Sequence, residues 1–326
     1  MQDRKNNLFI SSFRKEHRFF LKWTLIFFIP VVVSCVLLEL LVLNMPLNYV
    51  ITSTYFNSEK DDIEILALGP SQINGGINPE YFDKKAINLS SASQHHNLDF
   101  KILSQLKDRL PKLSYVILEL SYSHLEQPHN SKEFWKNSVY LKYYDVNAFE
   151  RNVYFKDKFI YLARPDVYSK LLYEYYLTEN KGPHLNKFGF DTSNFDGLFK
   201  RLDYNANAID TTKFEINTRP NEVLFKYNTN FLFEMLAYSA SENLKVVLCT
   251  MPLYKTYLAK RNPEMLRRRD SILNVISLKY SNVRIFNKEA DTIQFKISDF
   301  NNHNHLNPRG AEKFTKELNT FINTQF

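Results

Sequence analysis

Short apolar runs alternate with longer amphipathic stretches along most of the chain. Runs without internal polar alternation predict strands buried on both faces, at residues 64–68, 86–89, 115–120, 245–250 and 283–286. Periodic apolar positions predict helices at about 95–109, 222–241, 263–280 and 308–323. This alternation indicates right-handed βαβ units and a three-layer α/β/α sandwich around a mostly parallel five-stranded sheet.

One long segment, residues 122–220, interrupts the alternation within the predicted domain of residues 63–326. It is rich in Tyr, Phe, Asn and Lys, as in 140–144 (YLKYY) and 171–176 (LLYEYY). We interpret it as a mostly helical insertion. A lid over a site and a pair of ordinary helices with aromatic packing faces both explain this composition.

Residues 23–45 form a continuous apolar run that is long enough to cross a hydrocarbon core of about 30 Å as a helix. A cleaved signal peptide is the alternative, but its apolar region spans only about 7–15 residues, and no small-x-small cleavage site follows here. We predict one uncleaved transmembrane helix, followed by a connector over residues 46–62. Glu39 inside the run either faces a polar partner or snorkels towards the outer interface in protonated form.

The positive charge is concentrated before this helix. Six basic and two acidic residues in the tail, residues 1–22, account for +4 of the net charge of +7. The positive-inside rule therefore predicts a cytoplasmic N-terminus, a single pass through the inner or cytoplasmic membrane, and an extracytoplasmic main domain. Because most of the excess positive charge lies in the tail and not in the main domain, we predict no nucleic-acid partner.

The cysteine and glycine contents argue against several classes of site. The two cysteines, Cys35 and Cys249, lie in the apolar run and in a predicted strand, so we expect no disulfide. Without a Cys-x-x-Cys pair we expect no structural zinc site. Only 7 glycines are present, and neither nucleotide-binding glycine motif occurs. We therefore predict no metal and no cofactor.

Two distant segments carry candidate chemistry. Ser71 follows the first predicted strand in the sequence Leu-Gly-Pro-Ser-Gln, where a βα turn begins. His305 lies in a short loop before the last helix, where Asn307 is placed to cap that helix and Pro308 suits its first position. A nucleophilic serine needs a base, and an imidazole has a suitable pKa.

These segments together resemble the SGNH/GDSL hydrolase superfamily. The resemblance rests on 65–71 (ILALGPS), 86–93 (AINLSSAS) and 305–311 (HLNPRGA). Within the superfamily, the pattern resembles the membrane-anchored branch of cell-envelope O-acyltransferases and D-alanyl transfer proteins. It implies that Ser71 is the nucleophile and His305 the general base. The oxyanion hole would then consist of the Ser71 N–H and one N–H near Ala92 or Ser93.

The chain departs from this family at two points. The position three residues before the histidine is Asn302 rather than Asp, and Asp299 lies six before, so the residue that orients His305 is left open between them. The family's Gly-x-Asn-Asp block is replaced by 118–122 (LELSY). Gln72 and Gln94 are further candidates for substrate contact. For Gln94, His95 and His96 the more common explanation is a polar group in the first turn of a helix.

The resemblance implies a serine esterase or O-acyltransferase that acts on acyl esters, O-acetyl groups above all, of cell-envelope polysaccharide. Its substrate would be an acylated saccharide, and the sequence does not choose between hydrolysis and transfer. The alternative is a catalytically impaired partner of a multi-spanning acyltransferase or export complex. In that case Glu39 and the aromatic insertion would be the contact surfaces.

Overall fold

The computed structural model describes residues 3–129, 134–178 and 182–326, with side chains from residue 16 onward. The α-helices are α1 Asp3–Leu43, α2 Asn48–Glu59, α3 Ser71–Gly76, α4 His96–Leu106, α5 Lys136–Tyr144, α6 Ile160–Ala163, α7 Pro165–Leu177, α8 Leu198–Arg201, α9 Ala206–Asp210, α10 Glu222–Ser241, α11 Lys255–Lys260, α12 Pro263–Lys279 and α13 Pro308–Gln325. The strands are β1 Ile65–Ala67, β2 Ala86–Asn88, β3 Tyr115–Glu119, β4 Lys245–Thr250, β5 Val283–Asn287, β6 Phe300–Asn302 and β7 His305–Leu306.

Strands β1 to β5 form one parallel sheet in the order β2-β1-β3-β4-β5. Ile65 of β1 pairs in register with Ala86 on one side and with Tyr115 on the other. Every residue of β1 and β3 is buried, as the apolar runs predict for strands covered on both faces. The five strands and the four helices α4, α10, α12 and α13 confirm the α/β fold predicted from the pattern.

Side chains that alternate along the strands divide the core into two layers. Leu66, Leu118 and Leu248 point into one layer, which also contains buried residues of α2, α4, α10 and α12. Ala67, Ile117 and Val247 point into the other layer, together with residues of α3 and α13. Helices thus cover both faces of the sheet, and the carboxyl ends of the strands remain as the edge where sites form in such folds.

The segment predicted as a connector, residues 46–62, instead contains helix α2. Its Phe56 is fully buried and packs against the Tyr144 ring with 5.4 Å between ring centroids. No side chain caps α2 at Leu47, so local signals for a helix are weak. Burial of Phe56 in the core stabilises this helix, and the local sequence contains no cap that would predict it.

The predicted insertion, residues 122–220, is helical only in part. Helices α5 to α9 are short and are joined by 3₁₀ turns and irregular segments. Residues 130–133 and 179–181 of the insertion lie outside the described residues. Aromatic residues of α5 are buried in the main core, including Tyr140 and Tyr144, so at least this part of the insertion is a packing element.

The chain divides into two units: residues 1–45 with 154–181, and residues 46–153 with 182–326. In the first unit, α1 contains a stretch from Glu16 to Leu43 that is long and apolar enough to cross a membrane, judged by length and composition. The Glu39 carboxylate accepts the backbone N–H of Ile160 at 2.9 Å and of Tyr161 at 2.8 Å, at the start of α6. Glu39 therefore has its polar partner within this chain.

Candidate active site

Ser71 lies at the carboxyl end of β1, where a tight turn leads directly into α3. Gly69 in this turn has a φ of +136°, and a Cβ added there would lie 3.0 Å from Ile73 Cγ1 and 3.4 Å from Glu119 Cβ. Only glycine accepts this backbone conformation together with this close approach. The turn fixes Ser71 as the first residue of α3, at the edge of the sheet.

His305 lies on the antiparallel β6–β7 hairpin, where it pairs with Asn302 across the turn. The hairpin leads into α13. Asn307 caps the N-terminus of this helix by accepting two backbone N–H groups. The amide of Asn307 also donates to the Ser298 carbonyl at 2.8 Å, which ties the hairpin to the preceding 3₁₀ helix. These hydrogen bonds hold in place the hairpin that carries the His305 imidazole.

The structure brings these two distant segments together. Ser71 Oγ lies 2.8 Å from His305 Nε2, across 234 residues of sequence. This distance is within hydrogen-bond range, as a nucleophile and its general base require.

The hydrogen bonds around Asn302 determine the tautomer of His305. Asn302 Oδ1 accepts the backbone N–H groups of Asn304 and His305, each at 3.0 Å, so the amide oxygen must face the hairpin. The same oxygen lies 3.1 Å from His305 Nδ1, and Asn304 Oδ1 lies at 3.1 Å as well. Because Asn302 Oδ1 is fixed as an acceptor, Nδ1 carries the proton and the Nε2 lone pair faces the Ser71 hydroxyl.

The surroundings also keep His305 neutral. Burial lowers the pKa of His305 below its usual range, and the negative charge of nearby Glu119 opposes this only in part. A neutral imidazole at neutral pH can accept a proton, which is what a general base must do.

Asp299, the other residue predicted to orient His305, faces different partners. Its side chain is fully buried, and Oδ2 accepts the Lys296 backbone N–H at 2.9 Å and the Lys313 ammonium at 2.6 Å. Its Oδ1 lies 3.1 Å from Arg309 Nε. The carboxylate caps the short 3₁₀ helix that precedes β6 and forms ion pairs with α13. Asn302, and not Asp299, therefore contacts the imidazole.

The predicted oxyanion groups lie at the same edge of the sheet. The Ser91 N–H donates to the Gly69 carbonyl at 3.0 Å, and the Gln94 N–H donates to the Ser91 carbonyl at 3.0 Å. Ala92 and Ser93 form the exposed tip of this turn, and Ser93 has a φ of +63°. The Ser71 N–H belongs to the first turn of α3, where N–H groups have no acceptor within the helix.

The two glutamines predicted to contact substrate are engaged elsewhere. Gln72 Nε2 donates to the Asn304 carbonyl at 2.8 Å and so braces the histidine hairpin. Gln94 is 2% exposed, donates to Asp99 Oδ1 at 2.7 Å and accepts the Tyr140 hydroxyl at 2.5 Å. Both ends of the Gln94 amide therefore bond to buried side chains, whereas the sequence predicted contact with a substrate.

A cavity of about 280 Å³ begins one helical turn from Ser71. Asn74, three residues after Ser71 on α3, lines it together with Ser90, Ser91 and Lys136. The Lys136 ammonium contacts Ser91 Oγ, and burial lowers the pKa of Lys136 to about 8. Sequence reasoning missed Lys136, because a single lysine in an aromatic-rich helix resembles an ordinary surface residue.

A group of histidines, of which sequence reasoning named His95 and His96 but missed His124, lies close to the end of β3. His95 and His96 are buried together with His124, which follows β3. The rings of His96 and His124 stack with 4.2 Å between centroids. Sequence spacing gave no signal for this cluster, because His124 is separated from the pair by a helix and a strand.

No family model matches the chain, and no curated protein matches it. Among solved structures it is similar to a protein from Streptococcus pneumonia provisionally described as a platelet activating factor, with 10% identity and a TM-score of 0.37 over 82% of this chain and 91% of that one. It is also similar to a protein from Bacteroides fragilis provisionally described as an acylhydrolase, with 9% identity and a TM-score of 0.39 over 82% and 94%. Similarity at this level carries no argument about activity, which must come from the site.

Proposed function

We propose that this protein is a serine esterase or O-acyltransferase. The observation that carries the proposal is the 2.8 Å contact between Ser71 Oγ and His305 Nε2, with the proton of His305 held on Nδ1. A serine hydroxyl that donates to a neutral imidazole at the carboxyl edge of a parallel sheet is the arrangement needed for acyl transfer through a covalent intermediate.

In the proposed reaction, His305 Nε2 takes the Ser71 proton as Oγ attacks the carbonyl carbon of an ester. The Ser71 N–H and the turn at Ala92 and Ser93 would stabilise the oxyanion, a term worth about 3–4 kcal/mol per donor in related chemistry. The tetrahedral intermediate expels the alcohol, which leaves with the proton from His305. Water or a sugar hydroxyl then attacks the acyl-serine and passes its proton to His305. His305 returns that proton to Ser71 Oγ as the acid or the new ester leaves, which regenerates the free serine.

The proposed substrate is an acyl ester of a cell-envelope polysaccharide, with O-acetyl as the favoured group. The cavity lined by Asn74, three residues after Ser71 on α3, has a volume of about 280 Å³, which suits a small acyl group or one sugar unit better than a long lipid chain. Asn74, Ser90 and Lys136 offer polar groups of the kind that contact sugar hydroxyls.

We further propose that α1 anchors the protein in the inner or cytoplasmic membrane, with the tail in the cytoplasm and the main domain outside. The apolar stretch of α1 and the basic residues before it support this orientation. Reporter fusions after Lys60 test it. Alkaline phosphatase should be active there and a cytoplasmic fluorescent reporter should be dark, and the reverse pattern would invert the topology.

Covalent labelling tests the catalytic proposal directly. A fluorophosphonate probe should label the wild-type protein in detergent, and Ser71→Ala should abolish the label. Ser241→Ala is the matched control, because that serine is exposed and only donates to the Tyr238 carbonyl of its own helix. Equal labelling of wild type and Ser71→Ala, or no labelling of wild type, contradicts the proposal.

A second candidate function is a catalytically impaired partner of a multi-spanning acyltransferase or export complex. The observation that favours it is the neutral Asn302 behind His305, where a carboxylate would stabilise the imidazolium more strongly. This candidate predicts no probe label on a correctly folded wild-type protein. It also predicts that the protein co-purifies with a membrane-embedded partner whether or not Ser71 is present.

A further inference from the structure

Three histidines are buried close together beneath the candidate active site. His95 caps the N-terminus of α4, His96 begins that helix, and His124 begins a 3₁₀ turn after β3. All three side chains are at most 4% exposed. One ligand nitrogen from each lies within 4.8 Å of the others. Imidazoles seldom gather in a core without a partner that uses their nitrogen lone pairs, since burying an unpaired polar atom is costly.

In two of these rings one nitrogen donates a hydrogen bond and the other nitrogen has an unpaired lone pair. His96 Nε2 donates to the Glu119 carbonyl at 3.2 Å, and His124 Nδ1 donates to Glu119 Oε2 at 2.5 Å. The opposite nitrogens, His96 Nδ1 and His124 Nε2, are buried and have no hydrogen-bond partner within residues 3–129, 134–178 and 182–326. Each ring is therefore held in the tautomer that presents a free lone pair.

This arrangement has the outer shell that metal-binding histidines require. A ligating imidazole nearly always donates its other N–H to a carboxylate or to a backbone carbonyl, which fixes the ring and raises its basicity. Glu119 supplies both kinds of acceptor, its carboxylate to His124 and its carbonyl to His96. Glu119 Oε1 is itself buried without a hydrogen-bond partner among the described residues, so a nearby cation would also offset its charge.

His95 can complete the set through Nδ1. Its Nε2 donates to the His124 carbonyl at 2.9 Å, which leaves Nδ1 as the lone-pair nitrogen. At present Nδ1 accepts the His96 backbone N–H at 2.8 Å, and a metal would replace that bond. Tetrahedral zinc with Zn–N bonds of about 2.0–2.1 Å holds its nitrogens about 3.4 Å apart and lies in the plane of each ligating ring. Because the His96 and His124 rings stack with 7° between their planes, one of them must turn out of the stack before both lone pairs reach the ion.

We propose that His95, His96 and His124 bind one zinc ion, with Glu119 as the outer-sphere partner. Three neutral imidazoles and a tetrahedral arrangement suit Zn²⁺ better than Mg²⁺ or Ca²⁺, which prefer oxygen ligands. The ion joins the start of α4 to the 3₁₀ turn after β3. Glu119, its outer-sphere partner, lies against Gly69, in the turn that positions Ser71. It is a site that the sequence, with its missing Cys-x-x-Cys pairs, gave no reason to expect.

The test uses the full-length chain in detergent, expressed without a histidine tag in medium supplemented with Zn²⁺. Elemental analysis after dialysis should find about one zinc per wild-type chain. Protein expressed with Co²⁺ instead should show the visible ligand-field bands of a tetrahedral cobalt site. His124→Gln should lower the metal content at least about tenfold. His184→Gln, at an exposed histidine, should leave it unchanged.

The wild-type measurements decide the matter even if His124→Gln does not fold. Wild-type protein that contains no zinc and shows no cobalt bands overturns the proposal. So does a folded His124→Gln variant, as judged by circular dichroism, that keeps its full zinc content. None of these readouts depends on catalytic activity, so the zinc site and the proposed esterase function can fail separately.

Discussion

Asn302 Oδ1 lies 3.1 Å from His305 Nδ1 and accepts two backbone N–H groups of the same hairpin. The amide thus orients the imidazole, but it carries no charge to stabilise the imidazolium that would form in the proposed reaction. Orientation and charge stabilisation, which one aspartate usually provides together, are separated at this site.

Replacing Asn302 with Asp should restore the missing charge. The carboxylate keeps an acceptor oxygen for the two backbone N–H groups, so the hairpin is expected to stay intact. We expect kcat/KM for p-nitrophenyl acetate to rise at least about tenfold, a fraction of the roughly 10⁴-fold cost of the opposite change in a serine protease. Asn274→Asp is the matched control, since the same amide-to-carboxylate change is made there at an exposed position of α12. A fall in activity for Asn302→Asp contradicts this account.

The pH profile of esterase activity should report the ionisation of His305. Only the neutral imidazole acts as the base, and burial lowers the pKa of His305 in the folded protein. Activity should therefore be at its plateau at pH 7 and fall only as the pH drops below about 6.5, the unperturbed value. In Asn302→Asp the added negative charge raises this pKa, so the acid limb should move to higher pH. A wild-type limb centred above pH 7 would show that another group controls the rate.

Gly69 should tolerate no side chain. Alanine at a φ of +136°, with its Cβ 3.0 Å from Ile73 Cγ1, should destabilise the fold by about 1–3 kcal/mol and displace Ser71. We expect a lower urea midpoint and loss of fluorophosphonate labelling. Gly75→Ala is the control within the same helix, because an added Cβ there meets no atom within 4 Å. Normal labelling of Gly69→Ala would mean that the turn does not position the serine.

Asp299 should matter for stability and not for catalysis. Asp299→Asn keeps the side-chain shape but loses the charge that pairs with Lys313 and Arg309, at a cost of about 1–3 kcal/mol in the free energy of unfolding. Urea denaturation measures the loss, and kcat for the folded fraction should change less than about threefold. Asp196→Asn, in an exposed i,i+4 pair, should change stability by less than about 0.5 kcal/mol. A large fall in kcat at unchanged stability would return Asp299 to the catalytic group.

Glu39 should hold residues 154–181 to α1. Its carboxylate accepts two N–H groups at the start of α6, so Glu39→Ala removes a cap worth about 1 kcal/mol. We expect faster limited proteolysis within residues 154–181 and an intermediate rate for Glu39→Gln, which keeps one acceptor oxygen. Glu16→Ala, at an exposed position of α1, should behave like wild type. Unchanged proteolysis of Glu39→Ala would show that these bonds add little.

The regular part of the fold was predictable because its signals are local. Apolar runs such as 245–250 have the length and composition of a buried strand, and Asn307-Pro308 is a helix start by its own chemistry. The position of Ser71 after β1 follows from the same pattern. Helix α2 was not predicted, because burial of Phe56 stabilises it and its sequence has neither a cap nor a periodic apolar face.

The sequence by itself determined which elements form and which serine and histidine were candidates. The tertiary structure decided which residue contacts His305, that Gln94 is buried, and that His124 joins His95 and His96. The physical reason is that strand and helix patterns depend on neighbours a few residues apart. Contacts between side chains depend on how distant segments pack, and one sequence does not encode those distances in any local pattern.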